Sequence, residues 1–131
     1  MIVDERIVTF INSLDTENSK ILEAIEREAL ASGVPIIRRE MQSFLKVLLM
    51  LQKPMRILEV GTAVGFSALL MSEYAPEGCR ITTIENYEKR IPIARSNFAR
   101  AGKEDVITLI EGDAAQVLEK LEGTYDFIFM D

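Results

Sequence analysis

The 131-residue chain has no histidine and only one cysteine, Cys79. The first absence removes Ser-His and Cys-His nucleophilic schemes and histidine-ligated zinc. A lone cysteine forms no internal disulfide and has no partner for a thiolate metal cluster, which fits a reducing cytoplasm. Long apolar runs are also missing. The longest, residues 47–51, lies between Lys46 and Lys53 and is far too short to span a bilayer. The first ten residues carry Asp4 and Glu5 and lack the apolar core of a signal peptide. No membrane partner is expected. A basic excess is lacking too: 15 Lys and Arg stand against 21 Asp and Glu, a net charge of -6. That excludes a dominant electrostatic footprint for nucleic acid and leaves a local basic patch open.

What is present suits one globular domain, residues 1–131, with 48% hydrophobic and 27% charged residues. Residues 1–53 read as a helical cap. Val3, Ile7, Ile11 and Leu14 recur at helical spacing, as do Ile21, Leu22, Ile25, Ala29 and Leu30 after the cap-rich "DTENS". Gly33 and Pro35 stop that helix. "GVPII" is an extended connector, and Met41, Phe44, Leu45, Leu48 and Leu49 mark a third, more buried helix ended by Lys53 and Pro54. The apolar faces of these helices serve the core or a dimer surface.

The pattern changes at Arg56. "RILEVGT", "RITTIE", "VITLI" and "YDFIFMD" read as strands separated by helical stretches. Pro92, inside the helical stretch 87–101, either opens the regular helix or kinks it. Strands alternating with helices predict an α/β fold with an open parallel sheet over 54–131. "FIFM" would leave a long apolar edge, which folded proteins avoid. We therefore expect the chain to be the front part of a longer protein, or its edge to be covered by a partner copy.

"EVGTAVGFS" follows the first strand. Its glycines, Gly61 and Gly65, do not match the dinucleotide fingerprint G-x-G-x-x-G, and no G-K-S/T follows. In open parallel sheets, ligands sit beyond the carboxyl ends of the strands. Glycine there permits a sharp turn and close approach to the backbone. The free N–H groups of the next helix favour a carboxylate or phosphate. Glu85, about 20 residues on at the second strand's tip, is placed to accept two ribose hydroxyls; a solvated strand-end acid is the alternative. Asp113, in "EGDA", is either a third ligand-facing acid or the cap of a helix over 114–121.

"LEVGTAVGFSALLM" resembles the first motif of class I S-adenosylmethionine (SAM) methyltransferases, E/D-x-G-x-x-x-G, written here Glu59, Gly61, Gly65. The resemblance implies a Rossmann-like fold whose loop, including Thr62, wraps the methionine part of SAM. It implies ribose on Glu85, the adenine amino group on Asp113 and the ring on the Ala114 N–H. Ser67 would meet the SAM carboxylate or cap its helix; Ile37 would touch SAM through its backbone or simply pack. The helical lead-in, "GVPII" and "YDFIFMD" are together similar to the metal-dependent O-methyltransferases. That group includes catechol and caffeoyl-coenzyme A O-methyltransferases and bacterial enzymes that methylate 5-hydroxyuridine in tRNA. The similarity implies that Asp131 also binds a divalent metal, Mg²⁺ or another, near SAM. Hard cations take oxygen ligands and lower the pKa of bound oxygens.

Methyl transfer to a hydroxyl of a small catechol, a phenol or tRNA 5-hydroxyuridine, by a cytoplasmic homodimer, is thus expected of the family. The further metal ligands and the base are not in this chain, which is expected to be inactive alone. Arg38 and Arg39 could meet a phosphate if the acceptor is RNA, or simply open a solvated helix. Two alternatives stay open: a nicotinamide-dependent oxidoreductase, disfavoured by the "GTAVG" spacing, and a non-catalytic SAM-binding fragment.

Overall fold

The computed structural model describes residues 3–131. Of the helical cap assigned to 1–53, residues 1 and 2 lie outside the described residues.

Three helices lead in: α1 (Glu5–Ser13), α2 (Lys20–Ala31) and α3 (Arg39–Gln52). Asp4 and Ser19 cap the first two, accepting from the N–H groups of Arg6 and Leu22, which satisfies amides with no partner inside the helix. Lys53 closes α3 in the left-handed region, φ 48, and Pro54 prevents continuation. Strands and helices then alternate: β1 (Arg56–Val60), α4 (Phe66–Tyr74), β2 (Arg80–Glu85), α5 (Ile91–Arg100), β3 (Ile107–Glu111), α6 (Ala114–Lys120) and β4 (Phe127–Met130). The sheet order is β3-β2-β1-β4 with every pair parallel. This is the α/β sheet with a helical lead-in that the alternation predicts. Pro92 falls at the second residue of α5. Its missing N–H would have had no helical partner there, so the helix opens without a kink.

β1 lies inside the sheet, and Ile57, Leu58 and Glu59 are buried in succession. α4 is buried from Phe66 through Met71. Leu22, Ile25, Leu45 and Leu49 bring α2 and α3 onto this core.

The cap differs from its sequence reading. α1 buries no residue, and Ile7 and Leu14 are 58% and 70% exposed; its stripe is not core. α3 buries Gln42, Leu45, Lys46 and Leu49, whereas Met41 and Phe44 face outward. Apolar spacing misleads over the face, because Met41, Phe44, Val47, Met50 and Leu51 are exposed whereas polar Gln42 and Lys46 are buried. Polar contacts choose it. Gln42 Nε2 donates to the Ile37 carbonyl (2.8 Å) and to Glu26 (3.1 Å), while its Oε1 accepts from Asn18 (2.8 Å).

At β4, Phe127 and Phe129 pack on the core and Ile128 and Met130 are exposed. The Asp126 carboxylate accepts from the N–H groups of Met55 and Arg56, tying the start of β4 to that of β1. Because all four strands run the same way, Val60, Glu85, Glu111 and Met130 end at one edge.

Candidate active site

The β1–α4 loop lies along that edge. The Gly61 and Thr62 N–H groups both donate to the Ile84 carbonyl (2.9 and 3.2 Å), and Gly65 N–H donates to the Thr62 carbonyl (2.8 Å). Gly61 and Gly65 have φ of 100 and 89. A Cβ on Gly61 would stand 2.7 Å from the Asp131 carbonyl oxygen, and one on Gly65 would stand 2.6 Å from the Phe98 ring. Sequence reasoning assigned this bareness to a sharp turn, which the positive φ values match, and to ligand approach. In the structure, protein fills both spaces: the end of β4 presses on Gly61 and α5 presses on Gly65.

Between them, Ala63 also takes the left-handed region, φ 48, which costs a residue with a Cβ about 1 kcal/mol or more. Glu85 holds it there. Its Oε2 accepts from the Ala63 N–H (2.8 Å), and its Oε1 accepts from the N–H groups of Asn86 and Tyr87 (both 3.0 Å). An ionised carboxylate has about four acceptor directions, so this half-buried group retains capacity for a ligand hydroxyl.

Glu59 lies beneath the loop, with 0% exposure. It accepts from the hydroxyls of Ser67 (2.5 Å) and Thr83 (2.6 Å), and Thr83 also pairs with the Thr62 hydroxyl (2.6 Å). Burial raises its pKa from 4.5 to about 7; the two hydroxyl bonds oppose the rise, and the charges of Asp131 and Glu85 add to it. Glu59 is therefore an internal brace, not a wall of the cleft. The Ser67 hydroxyl points at this brace and does not cap α4, whose N-terminus has no side-chain cap. Thr83 and Ala63 were missed in the sequence. An acid in an otherwise apolar strand was the available signal for a buried polar partner such as Thr83. Asn97 was missed too: its Nδ2 donates to the Val64 carbonyl (2.8 Å), pinning the loop from α5.

The third tip joins the same edge. Gly112 N–H donates to the Glu85 carbonyl (2.9 Å), and Glu85 is in register with Glu111. Asp113 is exposed and caps α6 through the Gln116 N–H (3.2 Å), with half-buried Ala114 as the first helical residue. Gly61, Glu85 and Asp113 thus lie along one edge of the sheet, and each acid already has a structural task.

Two clefts meet at Asp131. The first is walled by Pro35, Ile36 and Ile37 against Gly61, Thr62, Ala63, Ser67 and Asp131. The second shares Pro35, Ile36, Ile37 and Asp131 and adds Arg38, Glu40, Met41, Phe129 and Met130. Ile37 lines both, and its carbonyl receives Gln42. Arg39 is bound to Glu23 (3.0 Å) and Glu26 (3.4 Å), and its pKa is raised, chiefly by the Glu23 hydrogen bond. Arg38 is 76% exposed. Among the described residues, no group of three His, Cys, Asp or Glu side chains converges on a point that could hold a metal ion. Asp131 alone does not make a divalent-cation site. No helix among them is long and apolar enough to cross a membrane.

The family described as O-methyltransferase matches residues 12–131. A catechol O-methyltransferase of Niastella koreensis is 29% identical over 97% of this chain and 60% of its own length. Caffeoyl-CoA O-methyltransferase 2 of Populus trichocarpa is 37% identical over 67% of this chain and 38% of its own. The SAH-bound methyltransferase of Podospora anserina shares the fold at a TM-score of 0.89 and 30% identity, covering 97% of this chain and 56% of that one. The O-methyltransferase from Bacillus cereus in complex with SAH gives 0.82 and 28%, over 96% and 60%. The chain spans 60% or less of the length of each of these proteins. With the match running from residue 12 to residue 131 and the same sheet found in solved methyltransferases, this chain belongs to the O-methyltransferase family.

Proposed function

We propose that this chain is the SAM-binding part of an enzyme that methylates a hydroxyl oxygen of a small phenolic or catechol-like acceptor. The observation that carries the reading is the convergence of the β1–α4 loop, Glu85 and Asp113 on one hydrogen-bonded edge. In this reading the uncapped start of α4 faces the SAM carboxylate, since free N–H groups and the helix dipole favour an anion. The Ile37 backbone lies beside the methionine end. Glu85 holds a ribose hydroxyl with the acceptor direction its three N–H bonds leave free, and Asp113 and the Ala114 N–H hold adenine. The SAH named in two structural relatives supports the same ligand here.

In methyl transfer, an oxygen lone pair forms the O–CH₃ bond while the S–CH₃ bond breaks in line behind it. The sulfonium becomes a neutral thioether, and the acceptor's proton leaves. This chain's contribution is to orient the sulfonium beside the second cleft and to shield it from water. Asp131, at the junction of the clefts, is placed to supply one carboxylate to a divalent cation such as Mg²⁺, which would lower the acceptor's pKa. The described residues do not complete that site, so no step is routed through it. Arg39, consumed by two acids, and the net charge of -6 favour a small acceptor over tRNA. Outward-facing Phe10 and Phe44 suit a homodimer, and lone Cys79 suits the cytoplasm.

Calorimetry with SAH tests the cofactor assignment. Glu85→Gln keeps the shape and removes the charge. Hydrogen bonds to a charged group contribute about 1.5–3 kcal/mol, so SAH affinity should fall at least tenfold. Equal affinity for both proteins would refute the ribose role, and NADH binding in place of SAH would favour the oxidoreductase.

A further inference from the structure

A cavity of about 160 Å³ lies between α2 and α5, apart from both clefts. Ile25, Ala29, Val34, Val64 and Ile93 give it an aliphatic lining. An apolar cavity of about 150 Å³ stays dry and takes up a molecule as large as benzene, so this one has room for a single ring. It shares one lining residue with the first cleft, Val64. Val64 sits in the β1–α4 loop between Ala63 and Gly65, both in the left-handed region.

The polar groups at the cavity are bound in a chain that runs to the loop. Arg100 donates to both oxygens of Glu28 (2.8 and 3.0 Å) and to Asn97 Oδ1 (3.0 Å). Asn97 Nδ2 in turn donates to the Val64 carbonyl (2.8 Å). The two charges therefore satisfy each other, and an ion among the aliphatic side chains would be left unpaired, at high cost. One polar function does remain. Asn97 is 4% exposed and lines the cavity, and its amide has a second N–H with no acceptor among the described residues.

We propose that this cavity is a regulatory site for a small neutral one-ring alcohol, and that its occupation strengthens cofactor binding. The ring lies on the aliphatic wall, and its oxygen accepts from the free N–H of Asn97. A guest packed on Val64 and Asn97 supports the loop from behind, in the conformation that frames the first cleft. A guest that prefers this conformation raises its population, and a ligand of the first cleft gains by the same factor. The coupling, though not the cavity, rests on reading the first cleft as the SAM site.

The test is calorimetric titration of the chain with cyclohexanol, with and without saturating SAH. The wild type should bind cyclohexanol saturably, with the negative heat-capacity change of apolar burial. Ala29→Leu fills the cavity from α2. Ile93→Trp fills it from α5 at a position 47% exposed, so it folds even where the tighter Ala29→Leu does not. Each should weaken cyclohexanol at least tenfold and leave SAH affinity, measured alone, unchanged. In the wild type, saturating cyclohexanol should tighten SAH at least threefold, and saturating SAH should tighten cyclohexanol by the same factor. Absence of saturable binding, or binding undiminished in the folded variants, overturns the site. SAH affinity indifferent to cyclohexanol overturns its regulatory role. Failure of SAH to bind, beside cyclohexanol binding that the variants abolish, refutes the cofactor reading and upholds the cavity as a site.

Discussion

Replacing Glu59 with glutamine should flatten the pH dependence of folding between pH 5 and 8. The Glu59 carboxyl is fully buried and titrates at about 7 against an ordinary 4.5. Between those values the folded chain keeps a proton that the unfolded chain has lost. Stability therefore decreases as pH rises through this window, because the unfolded state binds fewer protons. At roughly 1.4 kcal/mol per pH unit, the gap corresponds to about 3 kcal/mol lost by pH 8. The sequence has no histidine. Burial moves the Cys79 thiol further up. Asp4, Glu28 and Asp126 are held below their ordinary values by hydrogen bonds, so their contribution is lost only at acid pH. Glutamine can accept from one of the Ser67 and Thr83 hydroxyls and donate to the other once those hydroxyls rotate, so the variant should fold. Urea unfolding followed by circular dichroism at pH 5, 6, 7 and 8 reads the effect. The wild-type midpoint should fall by on the order of 1–3 M across the series, given a slope of about 1–3 kcal/mol per M. The Glu59→Gln midpoint should stay level, leaving the variant more stable at pH 8. Parallel profiles would refute the assignment of a buried, proton-binding Glu59.

Gly61→Ala should cost more than Gly33→Ala in the same assay. Both glycines have positive φ, but only at Gly61 would the new methyl meet an atom, the Asp131 carbonyl at 2.7 Å. A loss of about 1 kcal/mol at Gly33 and roughly 2–4 kcal/mol at Gly61 is expected; equal losses would show that β4 does not press on the loop. Magnesium at millimolar concentration should leave the melting temperature of this chain unchanged, because Asp131 has no convergent acidic partners among the described residues. A saturable upward shift would contradict that.

Several features were legible because their causes are local. Strand periodicity and the alternation with helices predicted an α/β sheet, and β1 to β4 appear where the apolar runs lie. Pro92 limited α5 to two possible beginnings, and the structure takes the one that leaves no N–H wanting. "LEVGTAVG" carried the family resemblance that the match over residues 12–131 bears out. The outward turn of Met41 and Phe44 was not legible. Apolar spacing alone does not reveal that α3 turns polar Gln42 inward, to Asn18, Glu26 and the Ile37 carbonyl.

The sequence by itself therefore determined the class of fold and the family. Those follow from short-range patterns of side-chain size, polarity and turn chemistry. Only the tertiary structure decided that Glu59 faces inward to two hydroxyls, that Gly61 and Gly65 make room for Asp131 and Phe98, and that Arg39 is paired closely while Arg38 stays exposed. Each of those outcomes depends on groups from different elements, and their meeting is set by how the strands lie side by side and how the helices pack on them.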